Sequence, residues 1–225
     1  MTTLPAGSLG LLLTWGTAVG VDLVSFPQAM IARPLIAGTV AGVILGDVES
    51  AVRVALVMEL FALDVLPVGA ARYPDYGPAT VGAVTFASGK AWEVALGPAV
   101  LLGLLIATLG GWSLLWIRDA NAQAIQRHAA GLAAGEAGTI ARLHYGGLAR
   151  DIGRSFALTA ASIGLGVAAA SRIPMLERFG LVTAVAIGAG LAAAAGGAIR
   201  SAGRGARVRW LAAGVGLGLL LTVFS

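Results

Sequence analysis

Long apolar segments alternate with short polar stretches along most of the chain. The segments predicted to span a membrane are Leu4–Val24, Trp92–Ile117, Ser155–Ala170, Leu181–Ile199 and Val208–Phe224. A helix needs about 20 mainly apolar residues to cross the roughly 30 Å hydrocarbon core of a bilayer. Because lipid offers no hydrogen-bond partners to the backbone, such segments are expected to be helical. We therefore predict an all-α polytopic membrane protein.

The N-terminal part has a different pattern, because its apolar segments are short and interrupted. Pro27 breaks the chain after the first span, and Pro34 suits the first turn of a new helix. The apolar runs Leu35–Gly46 and Ala79–Ala87 are each too short to span the bilayer. We interpret both as re-entrant or half-membrane helices, which in transporters point to a binding site. Asp47 is predicted to cap the helix that follows the first of them.

Composition supports this fold class and excludes several functions. Of 225 residues, 58% are hydrophobic and 12% are charged, whereas soluble domains average about 25% charged residues. The chain has no cysteine and two histidines, so we expect neither thiol chemistry nor a metal site. The sequence has no Walker loop, so ATP hydrolysis has no support. The first residues lack a basic segment, and we interpret them as the start of a span rather than a signal peptide.

Arginine is concentrated in two stretches, residues 118–154 and 200–209. The positive-inside rule places both in the cytoplasm, and the two predicted spans between them return the chain to the same side. The C-terminus is then expected outside the cytoplasm. We predict one membrane domain, residues 1–225, that contains a core with broken helices at 20–90, the Arg-rich stretch 118–154, and three Gly/Ala-rich spans at 155–225.

Carboxylates inside apolar sequence are the strongest functional candidates. Glu59 and Asp64 lie in an otherwise apolar run, where an ionisable group is costly and usually faces a cavity or a partner. Their separation corresponds to about 500° of helix, so they do not share a face. Glu59 is suited to accept hydrogen bonds from adjacent hydroxyls of a polar solute such as a sugar. The alternative is that Glu59 only stabilises the bundle by pairing with Arg53 or Arg72.

Further polar candidates border the chain breaks. Asp75 is equally consistent with a solute ligand and with a turn residue, and Asp22 and Gln28 flank the break at Pro27. The predicted substrate-binding residues are Glu59, Asp75, Gln28, Asp22, Asp64 and Arg72.

A second candidate surface lies in the Arg-rich stretch. His144 stands between Arg142 and Arg150, and these residues are a candidate docking site for a soluble partner. A solvated or helix-capping histidine is the default interpretation of His144.

Several linked motifs resemble one known family. They are Arg33–Gly38 (RPLIAG), Gly42–Asp47 (GVILGD), Met58–Leu60 (MEL) and Pro67–Asp75 (PVGAARYPD), with looser matches at Gln126–Ala130 (QRHAA) and Leu143–His144. Together they resemble the membrane IIC subunit of the mannose/fructose/sorbose family of sugar phosphotransferase systems. The match is dense over residues 20–90, whereas the C-terminal spans match in hydropathy only.

The resemblance implies a transport subunit of the bacterial cytoplasmic (inner) membrane, with no catalytic residue and no cofactor. Such subunits work with a second membrane subunit, IID, and with soluble IIA and IIB components, and form trimers of IIC–IID pairs. They carry a hexose inward by movement of a core domain, and phospho-IIB phosphorylates it. The family pattern places Gln28, Glu59 and Asp75 around the sugar. Glu59 and Asp75 match it directly, whereas Gln28 stands where relatives often carry an acidic residue.

Three functional hypotheses follow. The leading one is a sugar-translocating IIC subunit. The second is a regulatory or scaffolding membrane component of an incomplete phosphotransferase system, which docks a phospho-carrier protein and moves no sugar. The third is an ion-coupled secondary transporter that uses Glu59 and Asp64.

Overall fold

The computed structural model of the chain describes residues 4–64, 72–173, 179–200 and 209, and the regular secondary structure in these ranges is helical. The helices are α1 (Ala6–Asp22), α2 (Pro34–Leu45), α3 (Val48–Ala62), α4 (Tyr76–Ala87), α5 (Trp92–Arg127), α6 (Ala129–Ala133), α7 (Ala137–Arg172) and α8 (Phe179–Arg200). Among the described residues, α5, α7 and α8 are long and apolar enough to cross a membrane. The predicted all-α polytopic fold is confirmed. The predicted span Val208–Phe224 lies outside the described residues.

The short N-terminal helices begin and end where the local sequence predicts. Helix α2 has Pro34 in its first turn and ends at Gly46, whose φ of 72° favours glycine. The Asp47 side chain accepts a hydrogen bond from the Ser50 N–H at 3.2 Å and so caps α3. Helices α2 and α4 have 12 residues each, or about 18 Å, which is well short of the bilayer core.

The span predicted at Trp92–Ile117 extends further than expected. Helix α5 ends at Arg127 rather than near Ile117, and α7 carries both the second half of the Arg-rich stretch and the span that follows. Hydropathy falls after Ile117, but Ala, Gln and Arg are good helix formers, so the helix continues through polar sequence. The chain turns at Gly135, which has a φ of 70°, and α7 begins two residues later at Ala137. We call residues 114–127 of α5 and 137–154 of α7 the α5–α7 hairpin.

Helix α4 forms the centre of the bundle, and every residue from Gly77 to Ala87 is buried. Its contact with α7 depends on the absence of side chains. A Cβ atom on Gly166 would lie 2.6 Å from the Gly82 carbonyl oxygen. The Ser162 hydroxyl donates a hydrogen bond to the Pro78 carbonyl at 2.9 Å. Close helix approach through small residues is the usual means of packing in membranes.

The two ends of the bundle differ in character. At one end, the Gly89 N–H donates to Asp47 Oδ2 at 2.8 Å and joins the α2–α3 turn to the α4–α5 turn. At that end α8 also begins beside α5, where the Gly97 N–H donates to Thr183 Oγ1 at 3.0 Å. Helices α5 and α8 therefore run in the same direction, and the α5–α7 hairpin lies at the opposite end.

Candidate functional site

The segment after α1 is folded around one carboxylate. Asp22 is 2% exposed, and its two oxygens accept hydrogen bonds from the Ala29 N–H at 2.6 Å and the Ala32 N–H at 3.1 Å. In the same segment, Gln28 and Met30 have positive φ angles of 57° and 63°. This conformation is uncommon for residues with a Cβ. Asp22 thus holds the helix break in place, and its oxygens are used by the protein itself.

A buried guanidinium connects the elements next to this break. Arg154 Nη1 donates to Asp75 Oδ2 at 2.7 Å, and Arg154 Nε donates to Asp151 Oδ1 at 3.1 Å. Arg154 Nη2 also donates to the Gly20 carbonyl at 3.2 Å. The Arg154 and Asp75 side chains are 4% and 0% exposed. One side chain therefore joins the end of α1 and the start of α4 to α7.

Sequence reasoning treated Arg154 as the last residue of a cytoplasmic Arg-rich stretch, and the structure corrects its role. Arg154 is not a solvated orientation signal but the centre of the buried ion network. The sequence position of Arg154 could have indicated this role. Asp151 and Arg154 form an i,i+3 pair at the start of an apolar span, where ionisable groups usually face the bundle interior. Asp75 accordingly starts α4 with its carboxylate against Arg154, and its assignment as a sugar ligand stays a prediction.

A cleft of about 830 Å³ opens between the break after α1 and the α5–α7 hairpin. Its polar lining includes Gln28, Tyr73, Arg118, Asn121, His144, Arg150 and Asp151. Arg118 Nη2 donates to the Tyr73 hydroxyl at 3.0 Å, and Arg150 Nη1 donates to Asn121 Oδ1 at 2.7 Å. Ser25 Oγ donates to Asp151 Oδ2 at 2.6 Å and closes the cleft against the Arg154 network. Sequence reasoning missed Tyr73, Arg118 and Asn121 as site residues.

Glu59 belongs to α3 and lies away from the cleft, where its side chain contacts the start of α2. It pairs with Arg33, and its Oε2 accepts from the Leu35 N–H at 3.2 Å. The suggested structural partners were therefore wrong. Arg53 pairs with Glu49 and stacks on the Trp92 ring, with its Cζ 4.3 Å from the ring centroid. Glu59 is not among the cleft residues, and its side chain remains 16% exposed.

The other predicted site residues are dispersed. Asp64 follows the end of α3, and a Cβ atom on Gly197 of α8 would lie 2.9 Å from the Asp64 Cα. Arg72 is exposed, and its Cζ lies 5.7 Å from the centroid of the Trp112 ring. Both border residues 65–71, which lie outside the described residues together with the motif positions Pro67 and Gly69.

The predicted docking residues all lie on the hairpin part of α7. Arg142 and His144 are exposed, whereas Arg150 is half-buried in the cleft against Asn121. The His144 ring contacts the Tyr145 ring edge-on, with centroids 5.4 Å apart. In the part of the chain that the structure describes, no group of three or more His, Asp or Glu side chains is arranged to hold a metal ion.

Comparison with known proteins identifies the family. The profile of the family described as "PTS system sorbose-specific iic component" matches residues 8–202. The chain belongs to this IIC family. The sorbose-specific EIIC component of Klebsiella pneumoniae is 36% identical over 118 residues, which cover 52% of this chain and 43% of that relative. The alignment therefore spans less than half the length of the curated relative.

Solved structures show the same fold. A structure described only as that of a membrane protein matches with a TM-score of 0.64 and 20% identity, over 99% of this chain and 94% of its own. The cryo-EM structure of the mannose transporter ManYZ with microcin E492 matches with a TM-score of 0.60 and 19% identity, over 100% and 89%. The resemblance inferred from the motifs is confirmed. The chain is a member of the IIC family and has a multi-pass membrane fold.

Proposed function

We propose that this chain translocates a hexose of the sorbose or mannose type across the bacterial cytoplasmic membrane, and that a partner IIB component phosphorylates the sugar. The observation that carries the proposal is the match to the sorbose-specific IIC family over residues 8–202. The chain itself would perform no phosphoryl transfer, and the partner subunits would supply that chemistry.

The interrupted helices support a solute path. Helix α2 begins and α3 ends beside the Glu59–Arg33 pair, and short helices that meet inside a bundle are typical of transporter binding sites. Glu59 is only partly buried, whereas Asp22 and Asp75 are 2% and 0% exposed. Both Asp22 oxygens accept hydrogen bonds from backbone N–H groups, and one Asp75 oxygen accepts from Arg154. We therefore propose Glu59 as the main sugar ligand, with a sugar hydroxyl replacing its contact to Arg33.

The remaining predicted ligands take secondary roles in this proposal. Gln28 is exposed and lines the cleft, so it is suited to contact the sugar as it leaves the path. Asp75 and Asp22 would become ligands only if the core domain moves. Asp64 and Arg72 border residues 65–71, and we propose them as polar groups that flank the sugar path.

We also propose the orientation and the partners. The α5–α7 hairpin carries all five arginines of the first Arg-rich stretch, so the positive-inside rule favours its location in the cytoplasm. There the exposed Arg142 and His144, with Arg150 beside them, would dock a soluble IIA or IIB component. A IID membrane subunit would complete the transporter, as a trimer of IIC–IID pairs.

The test is phosphoenolpyruvate-dependent uptake of radiolabelled sorbose and mannose in cells that express this chain with its IID and soluble components. Glu59→Gln is expected to lower uptake at least about tenfold, the loss of one charge-assisted hydrogen bond. Glu49→Gln is the matched control, because Glu49 lies on the same helix with a side chain that is 75% exposed. Recovery of IID with the chain measures assembly in both variants.

Each contrary result has a definite meaning. If Glu59→Gln lowers assembly as much as uptake, Glu59 is a structural residue. If sugar uptake does not depend on phosphoenolpyruvate but is abolished by a proton uncoupler, the chain is an ion-coupled transporter. If the soluble components bind without any uptake, the chain is a scaffold.

A further inference from the structure

The cleft between the break after α1 and the α5–α7 hairpin is separate from the Glu59–Arg33 pair. None of its described lining residues belongs to α2 or α3. Its volume of about 830 Å³ falls within the range of small-molecule sites, roughly 300–1,000 Å³. What it can bind follows from the hydrogen-bonding groups and the surfaces that line it.

The charged groups at the cleft do not select an ionic ligand. Asp151 shares the guanidinium of Arg154 with the buried Asp75. The described hydrogen bonds of Arg118 and Arg150 are to neutral side chains that also line the cleft. The described charges therefore establish neither a positive nor a negative surplus, and the choice of ligand depends on the neutral hydrogen-bonding groups.

Three such side chains line the cleft from three elements and have unused hydrogen-bonding capacity. Gln28 in the break after α1 and His144 on α7 have no hydrogen-bond partner among the described residues, and Asn121 on α5 uses only its Oδ1. An amide group both donates and accepts hydrogen bonds. A hydroxyl does the same, so these side chains match a molecule with several adjacent hydroxyls.

An aromatic side chain contributes to the apolar part of the lining. Phe26 is 73% exposed and belongs to the break after α1, and Leu114, Ile117 and Leu148 are also lining residues. Small-molecule sites typically combine apolar and aromatic surface with a few polar groups such as Asn and Gln. A hexose satisfies both parts of the lining, because its ring carbons can contact the apolar surface while its hydroxyls bind the amides.

We propose that this cleft is a second hexose site, in which Asn121 and Gln28 hydrogen-bond the hydroxyls and Phe26 contacts the ring. This inference rests on the proposed function, because translocation supplies the hexose. His144 and Arg150, two of the proposed docking residues, line the same cleft. A hexose bound here lies beside the docking surface, where the phosphoryl donor of the soluble component would reach it. The site holds the sugar after translocation and before phosphorylation.

The test is protection of a thiol in the cleft. Because the chain has no cysteine, Leu148→Cys introduces a single thiol into the lining, and Ala149→Cys is the matched control, exposed and outside the lining. The full chain is purified in neutral detergent and alkylated with and without sorbose, mannose or hexose 6-phosphate. Hexose at about ten times its Kd should slow alkylation of Leu148→Cys about tenfold, in proportion to the unoccupied fraction of the site. Alkylation of Ala149→Cys should not change.

Two further comparisons assign the site to its residues. Glu59→Gln should leave the protection of Leu148→Cys intact, because Glu59 does not line the cleft. Asn121→Leu should raise the Kd for hexose roughly two- to tenfold, the loss of one neutral hydrogen bond. Gln123→Leu is its control, because Gln123 is an exposed amide on the same helix and outside the lining. Melting temperatures establish that each variant is folded.

The proposal is overturned if no hexose protects Leu148→Cys, if only hexose 6-phosphate does so, or if Glu59→Gln abolishes the protection. It is also overturned if Asn121→Leu and Gln123→Leu have the same Kd. Absence of protection together with normal phosphoenolpyruvate-dependent uptake would reject this site and leave the proposed function intact. Protection without uptake would support the site and reject transport by this chain.

Discussion

Replacing Arg154 by glutamine is expected to destabilise the protein more than the loss of any other arginine among the described residues. Its guanidinium donates to Asp75 at 2.7 Å and to Asp151 at 3.1 Å, and it also reaches the Gly20 carbonyl at 3.2 Å. The side chains of Arg154, Asp75 and Asp151 are at most 4% exposed. Glutamine would leave two carboxylates buried without a counter-charge.

The size of the effect follows from this geometry. Removing one partner of a buried ion pair costs about 3–5 kcal/mol, because the remaining charge stays desolvated. For a chain of this length, about 1 kcal/mol corresponds to roughly 2–4 °C in melting temperature. We therefore expect Arg154→Gln to lower the melting temperature by at least about 6 °C. Arg154→Lys should have a smaller effect, since it keeps the charge but loses the planar fork of donors.

The assay is thermal unfolding in detergent, followed by size-exclusion chromatography of heated samples. Arg150→Gln is the control, because Arg150 lies one helical turn before Arg154 and binds the neutral Asn121. It should cost about 1 kcal/mol, the worth of an ordinary hydrogen bond. Asp75→Asn, alone and combined with Arg154→Gln, completes a double-mutant cycle in which the two losses are expected to be strongly non-additive. Equal melting temperatures for Arg154→Gln and Arg150→Gln would refute the reasoning.

Two further predictions concern packing and pH. Gly166→Ala should lower the free energy of unfolding by about 1–3 kcal/mol, because its Cβ would lie 2.6 Å from the Gly82 carbonyl oxygen. Gly164→Ala on the same helix is the control, because its Cβ would meet nothing within 4 Å and should not destabilise the protein. Equal melting temperatures for the two variants would contradict this prediction. Partial burial of Asp47 opposes its ionisation. Hydrogen bonds from Gly89, Ser50 and Ser88 outweigh this effect and hold the pKa of Asp47 below its usual range. Since the folded pKa is the lower one, its stabilisation is present above about pH 4 and is lost as the pH falls through the folded pKa. The melting-temperature difference between wild type and Asp47→Asn should therefore be constant from about pH 5 to 7 and shrink below about pH 4; a difference that persists unchanged at pH 3 would disprove it.

Local features of the sequence were sufficient for most of the helical architecture. Pro34 in the first turn of α2, Gly46 at its end and the cap at Asp47 each act within four residues, and each is present as predicted. Among the described residues, hydropathy located the spans in α5, α7 and α8, whereas the predicted span Leu4–Val24 is the 17-residue helix α1. It also misplaced the end of α5, because it measures transfer into lipid and not the tendency to remain helical. The linked motifs over residues 20–90 were also enough to indicate the family, which the profile match over residues 8–202 confirms.

The choice of ion partners was not determined locally. Glu59 had several arginines within reach of its own segment, yet it pairs with Arg33 because α2 and α3 pack as neighbours. Asp75 pairs with Arg154, 79 residues away in the chain. Each charge is compatible with many partners in sequence, and the pairing depends on which helices the fold brings into contact.

The sequence by itself determined which apolar segments are helical, where the N-terminal helices are interrupted, and which family the protein belongs to. The helix positions and their interruptions depend on side chains that act on their own backbone or on lipid, so they can be predicted from one or two helical turns of sequence. Only the tertiary structure decided that Arg154 is buried between two carboxylates and that the break after α1 and the α5–α7 hairpin form one cleft. These depend on close helix packing through small residues, as at Gly82 and Gly166, which sets the distances between distant parts of the chain.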